Sequence, residues 1–491
     1  MGSPSIRKNY IYRLIYDIFM LLTPFITTPY VSRVLGADGI GIYSYTSSVM
    51  TYFALFAALG TASYGAREIA QHRNFVQEAS KLFWEIELMT VCTSLAALVG
   101  WGIVIAVSRK YTYYFIALLP SLFAVTADIT WFFIGYEQVK YTVSRGLFCK
   151  ILGIIGLFTF VKQKDDLLVY MVINSTIQLV GNLSMWSYLP KMLVRVDFRK
   201  LTIKRHFRET WIYFIPTIAT SIYTVLDKTL IGVITGNDYQ NGYYEQATKI
   251  INMIKTVVFS SLNSVMSARI SYLFSERRDD EIHRRISRSM SFIFLLGYGC
   301  TFGLLGVAGR FVPLFFGDSY KPVADMLYLM SPLILIIGIS NCLGSHYYTP
   351  AGLRKKSTKF IVAGAIVNLC LNLLLIPKHG ATGAVVASVI AELVITVLYV
   401  RFSHGYMSIG ILWKNSWKKV ASGAVMFVVV MALGQIQALG DLAVLGIQIM
   451  VGVAAYGIVL LLLRDDTLLE IWKTVVEMAK KKPIIPPNME N

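Results

Sequence analysis

The stretch TPFITTPYVSRVLGADGIGIYSY, from Thr23 to Tyr45, decides the fold class. It lies inside a long apolar run, yet it holds Pro24, Pro29 and Arg33. Proline removes a backbone donor and clashes with the turn before it. Arginine at membrane depth costs at least ~2.5–3.5 kcal/mol. A helix facing lipid on all sides excludes such residues. A span that is broken, or that lines protein or water, tolerates them because its freed carbonyls find other partners. The two prolines are therefore expected to break the first span, with Arg33 at its outer mouth. GADGIG, Gly36 to Gly41, makes the tight return. A kinked packing helix with a headgroup-level arginine is the alternative.

Working outward, the 491 residues are 55% hydrophobic and only 15% charged, against about 25% charge in ordinary soluble chains. Apolar runs near the ~20 residues that span a bilayer recur along the chain. Spans must be helical, because lipid offers the backbone no partners. The expectation is an all-α polytopic membrane protein with about fourteen spans. The first six cover 10–35, 41–66, 82–107, 112–135, 147–161 and 167–189. The next six cover 210–233, 243–270, 290–308, 323–348, 360–376 and 381–400, and the last two 420–437 and 442–463.

The loops test that count. One alternating set, including both termini, holds 34 Lys and Arg; the other holds 8. The positive-inside rule then puts both termini in the cytoplasm. It also accounts for the net charge of +18 without nucleic acid. VDFRKLTIKRHFRE, from Val196, is polybasic and suits anionic headgroups. DDTLLEIWKTVVEMAKKK, from Asp465, places Leu468, Trp472 and Val475 on one helical face, as an interfacial helix does. Trp413 and Trp417 suit the membrane–water boundary. Five scattered cysteines without a CxxC pair read as reduced packing residues. The basic start, MGSPSIRKNY, leads into an apolar run with no A-x-A cleavage site, so that run is expected to be kept as the first span.

GIYSYTSS at Gly41 is similar to GYYEQATK at Gly242, an offset of 201. IGYEQVKY at Ile134 pairs with PAGLRKKS at Pro350. Chance similarity is the alternative. A true repeat gives two six-span lobes, 1–200 and 201–405, followed by two further spans and a cytoplasmic amphipathic tail over 406–491. Internal repeats of this kind mark transporters.

No HExxH, GxSxG or Walker A lysine loop occurs, and the six histidines are dispersed, mostly at loop positions. No enzyme, catalytic residue, metal site or cofactor is expected. What remains is ionisable residues inside spans, which are rare and usually face a bundle interior or a wet cavity. Arg13 and Asp17, four apart, fit a structural ion pair as well as a transport role. Arg33, Lys228, Lys249 and Lys255 are the candidate substrate-binding cations, since cations in an apolar wall favour an anionic cargo. Asp128, Asp227 and Glu392 are the candidate ion-coupling groups, for protons or sodium. Glu245 is spaced to pair with Lys249. Asn368 and Asn372 fit helix-joining hydrogen bonds.

KNYIYRLIYDIFMLLTPFITTPYVSRVLGADGIGIYSYTSSVMTYFALFAALGTASYGAREIA, from Lys8, resembles the amino-terminal signature of the polysaccharide transporter family, the Wzx-type oligosaccharide flippases of the MOP exporter superfamily. ADITWFFIGYEQVKY, LDKTLIG and IPKHGATGAVVASVIAE resemble its later blocks. The resemblance implies two six-helix lobes around a central cavity, with alternating access. It implies a cargo of undecaprenyl-diphosphate-linked oligosaccharide, flipped from the inner to the outer leaflet of the bacterial cytoplasmic membrane for capsule, exopolysaccharide or O-antigen assembly. Membrane lipids and the polysaccharide polymerase and assembly proteins are the implied partners. In the related lipid II flippases arginines of the first spans support transport, and Arg33 corresponds to one of them. A cation-coupled MATE-type multidrug exporter of the same superfamily is the alternative.

Overall fold

The computed structural model describes residues 6–436 and 438–480. These are almost wholly helical, with no strand among the described residues. The first helix, α1 (Ile6–Ala58), has 53 residues. At 1.5 Å per residue a straight helix of that length would reach about 80 Å, far beyond a ~30 Å hydrocarbon core. It divides at Gly36, whose φ of 71° and ψ of 173° are the one non-helical pair inside it. The expected break at Pro24 and Pro29 is therefore corrected: helical dihedrals run through both prolines. Positive φ comes free only to glycine, so the chain turns there. Around the prolines, Thr23 Oγ1 donates to Phe19 O at 2.7 Å and Thr27 Oγ1 to Thr23 O at 3.1 Å. Such hydroxyl bonds to the preceding turn bend helices without ending them.

Next come α2 (Thr61–His72) and α3 (Val76–Val107), then α4 (Thr112–Ala117), α5 (Leu119–Thr126) and α6 (Thr130–Gly135). The expected span 112–135 is thus three short helices. They are followed by α7 (Val139–Phe160), α8 (Leu167–Met185), α9 (Ile203–Thr235), α10 (Asp238–Ser275) and α11 (Asp279–Phe316). α12 (Pro322–Met330), α13 (Leu333–Leu343) and a π-turn at Gly344–Tyr348 form one segment. α14 (Arg354–Arg401) is divided at Gly380. α15 (Ile409–Leu433), α16 (Asp441–Leu462) and α17 (Asp466–Lys480) complete the chain.

Among the described residues, ten helical segments are long and apolar enough to cross a membrane. Two of the ten are divided at Gly36 and Gly380. Counting each of those as two crossings and adding α9 and α10 is compatible with fourteen. Val107, Leu442 and Leu462 are 75%, 76% and 77% exposed. Lipid-facing surface accounts for such exposure, where no water has to be excluded.

The chain divides into two compact units, one comprising Met1–Gln246 with Asn368–Ala384, the other Ala247–Val367 with Val385–Asn491. In the first, Leu35, Trp101, Phe115, Leu122 and Met171 share one buried cluster, and Tyr64, Phe83, Trp131, Phe132 and Phe133 another. Polar contacts pin both ends of its helices. At one end Lys164 pairs with Asp38 at 2.8 Å and Tyr30 Oη donates to Val161 O at 2.7 Å. There too, Lys110 and Tyr111 each meet Asp238 at 2.7 Å, and Ala381 N donates to Gln240 at 2.9 Å. These loops are the base-poor set. At the other end of α3, Arg73 pairs with Glu137 at 2.8 Å, and Thr202 N donates to Glu85 at 2.7 Å. Those belong to the base-rich set.

In the second unit, Phe259, Ile286, Phe294, Tyr347, Tyr348, Phe360 and Tyr399 form the buried core. α11 packs on α15, and α15 on α16. Lys419 and Asp465, 3% and 4% exposed, pair at 2.8 Å and tie α15 to the start of α17. Asp465 Oδ1 also accepts from Thr467 N and Leu468 N at 3.1 Å, capping that helix.

Candidate functional site

A polar network lies inside the first unit among apolar helices. α9 supplies Asp227, Lys228 and Thr229; α10 supplies Asn241, Tyr244 and Glu245; α14 supplies Asn368 and Asn372; and the second half of α1 supplies Ser44 and Ser48. Asp227 is 4% exposed. Its carboxylate accepts from Asn372 Nδ2 at 2.6 Å and from the Tyr244 hydroxyl. Asn372 Nδ2 also donates to Asn368 Oδ1 at 3.0 Å. Lys228 takes the other direction and pairs with Glu245 at 2.6 Å, the two side chains 23% and 18% exposed. Ser44 Oγ donates to the same Glu245 oxygen at 3.1 Å. Asn241 Nδ2 holds Lys228 O at 2.9 Å, and Ser48 Oγ meets Thr229 Oγ1 at 2.8 Å.

Backbone proximity makes this possible. A Cβ on Gly41 would lie 1.7 Å from Asp238 O, and one on Gly242 would lie 1.9 Å from Ala37 O. The two contacts are reciprocal under a shift of 201 residues, the same separation as in the Ser44–Glu245 bond. Only glycine lets two helices approach this closely.

The other sequence candidates are spread over both units. Arg33 is exposed, three residues before the turn at Gly36. Asp128 is exposed, and its Oδ1 accepts from Thr130 N at 2.9 Å, so it caps α6. Lys249, Lys255 and Glu392 belong to the second unit and are partly buried. There the Glu392 carboxylate acts electrostatically on Lys255. The side chains of Arg13, Asp17 and Val475 lie outside the described residues.

Several buried polar groups escape the sequence reading. His206, expected to be a dispersed loop histidine, is fully buried in the first turn of α9. It lies 2.6 Å from Tyr64 Oη and 2.9 Å from Glu85 Oε2. His346 is likewise fully buried. Glu87 is 3% exposed, and its Oε2 has no hydrogen-bond partner among the described residues. Arg145 donates to Asn182 at 2.6 Å. The signal for the two glutamates was present: FWEIEL sets two carboxylates in an apolar run. Outside the spans, burial and the Asp238 carboxylate, opposed by Lys110, push the Tyr111 hydroxyl up to about 12.

The network thus sets a buried carboxylate, Asp227, beside a lysine paired with a second carboxylate, Glu245. Comparison with known proteins supplies the family. The polysaccharide biosynthesis protein family matches residues 6–274, more than half the chain. The chain belongs to that family. The lipid II flippase MurJ family also matches, over residues 146–452. A relative from Escherichia coli (strain K12), named "Putative O-antigen transporter", is 23% identical over 403 residues, covering 81% of this chain and 96% of that protein. Among solved structures, lipid II flippase MurJ in an inward closed conformation superposes with a TM-score of 0.70 at 16% identity, covering 93% of this chain and 99% of that one. An inward-facing MATE multidrug resistance transporter of the MOP superfamily gives 0.64 at 14% identity, covering 83% and 99%. The helical membrane fold expected from the sequence is thus the fold of these two solved structures.

Proposed function

We propose that this polysaccharide biosynthesis family member is a flippase rather than an enzyme. Its cargo is an undecaprenyl-diphosphate-linked oligosaccharide, moved from the inner to the outer leaflet of the bacterial cytoplasmic membrane by alternating access. The observation that carries this reading is the Lys228–Glu245 pair at 2.6 Å beside Asp227, all among membrane helices. A lysine held by a carboxylate can exchange that partner for a phosphate once the carboxylate takes a proton. Asp227, in contact with neutral donors, is the group for proton or sodium coupling. Arg33, Lys249 and Lys255 add positive charge for the diphosphate or acidic sugars, while Asp128 and Glu392 are secondary coupling candidates.

The test is reconstitution with fluorescent lipid-linked oligosaccharide, with and without an imposed proton or sodium gradient. Flipping by wild type, and its loss in Lys228→Gln and Asp227→Asn, are expected. No protein-dependent flipping of any diphosphate-linked glycan would reject the reading. The second reading is a cation exporter, which the buried Asp227 carboxylate favours. Drug susceptibility of expressing cells separates the two: a resistance phenotype lost in Asp227→Asn supports the exporter.

A further inference from the structure

A polar cavity of about 330 Å³ lies within the second unit, on the side of the base-rich loops. α10, α11, α15 and α17 line it. Five cations line it, Arg285, Arg288, Lys414, Lys418 and Lys419, and so does the Asp466 carboxylate. Two of them are already matched, Arg285 by Glu281 at 3.4 Å and Arg288 by Glu470 at 3.3 Å. Asp465 is consumed by Lys419. Lys414 and Lys418 have no carboxylate partner among the described residues; Lys418 Nζ donates only to Arg464 O, at 2.8 Å. Inside the same cavity Ser289 is 2% exposed, and its Oγ has no hydrogen-bond partner among the described residues. The lining also has an apolar part, from Leu262, Phe292 and Ile471.

We propose that this cavity binds the phosphodiester headgroup of an anionic phospholipid, between Lys414, Lys418 and the Ser289 hydroxyl. Three features favour a lipid over a free phosphate. The apolar part of the lining offers a surface to the glycerol and first acyl carbons. Trp413 and Trp417, 66% and 42% exposed on the same helix, mark the membrane–water boundary. Basic pockets between membrane helices at a cytoplasmic face suit anionic headgroups. The bound lipid would fasten α17, the amphipathic helix that forms one wall. The inference stands apart from the cargo, because none of these residues belongs to the proposed transport network.

The experiment uses the full chain, delipidated in detergent. Phosphatidylglycerol, phosphatidylcholine and inorganic phosphate are each titrated in, and bound lipid is read by native mass spectrometry alongside thermal melting. Phosphatidylglycerol is expected to bind and raise the melting temperature, with the other two having little effect. Lys414→Gln/Lys418→Gln should weaken its binding about thirtyfold, whereas Lys414→Arg/Lys418→Arg keeps it. Equal phosphatidylglycerol binding by the wild type and a folded glutamine variant overturns the proposal. So does equal binding of phosphatidylcholine to the wild-type protein, or a matching effect of inorganic phosphate, and neither of these needs a variant.

Discussion

Asp227 and Lys228 are neighbours in the chain, but helical geometry sends their side chains to different partners. Lys228 meets an acid, whereas Asp227 accepts from an amide and a phenol. Removing the acceptor strands two buried donors, and each unsatisfied group costs about 1–3 kcal/mol. Asp227→Ala is therefore expected to lower stability by about 2–6 kcal/mol, and Asp227→Asn by less because it keeps one acceptor. Thermal unfolding in detergent measures both; equal losses would show that packing, not the acceptor, is what matters there. The sequence could name these residues because charge inside an apolar run is conspicuous. It could not assign their partners: Asn372 comes from 145 residues away. Glu85 and Glu87 had the same conspicuous signature and were missed. They lie in the first two turns of the expected span 82–107, near its base-rich end, where an acid reads as headgroup-level rather than buried.

Between elements, the close contact of α1 with α10 sets the network's geometry. A methyl on Gly41 would fall 1.7 Å from a backbone oxygen that cannot swing aside. Gly41→Ala is expected to cost about 3 kcal/mol or more, at the top of the range for overpacking, with unfolding temperature as the measure. The repeat seen in the sequence at Gly41 and Gly242 falls on this reciprocal contact. The prolines misled for the opposite reason: a proline's cost is local, and helical dihedrals continue through both positions. The base-poor end offers a pH test. Burial lowers the Lys110 ammonium, but Asp238 and Tyr111 together more than offset this and leave it above an ordinary lysine. A raised lysine contributes stability that is complete below its unfolded pKa and fades as pH rises through its folded one. The exposed pair contributes about 0.5 kcal/mol. The stability gap between wild type and Lys110→Met should hold at neutral pH and close above about pH 10.5. A gap unchanged at high pH would mean that the pair contributes nothing.

For the whole molecule, the loop charges predict which face of the membrane each end meets. In a cysteine-free background, Lys164→Cys should react with an impermeant maleimide from outside the cell, and Arg73→Cys only after permeabilisation. The reverse pattern would invert the topology. Transport makes a stricter demand on the Lys228–Glu245 pair. If the pair only holds helices together, Lys228→Gln/Glu245→Gln, which leaves no unpaired charge, should flip cargo as well as wild type. If the lysine exchanges Glu245 for phosphate, the double variant stays folded and does not flip. Glu245→Gln alone keeps the cation but loses the competitor. It should therefore bind a diphosphate-linked lipid at least tenfold more tightly, with flipping that no longer accelerates when the site is acidified. Buried charge pairs couple by more than ~1.4 kcal/mol in favourable cases, enough for that factor of ten. Binding by tryptophan fluorescence and flipping by dithionite quenching of labelled lipid read the two effects separately. Tighter binding with unchanged pH dependence would remove Glu245 from the cycle while leaving Lys228 as the phosphate contact.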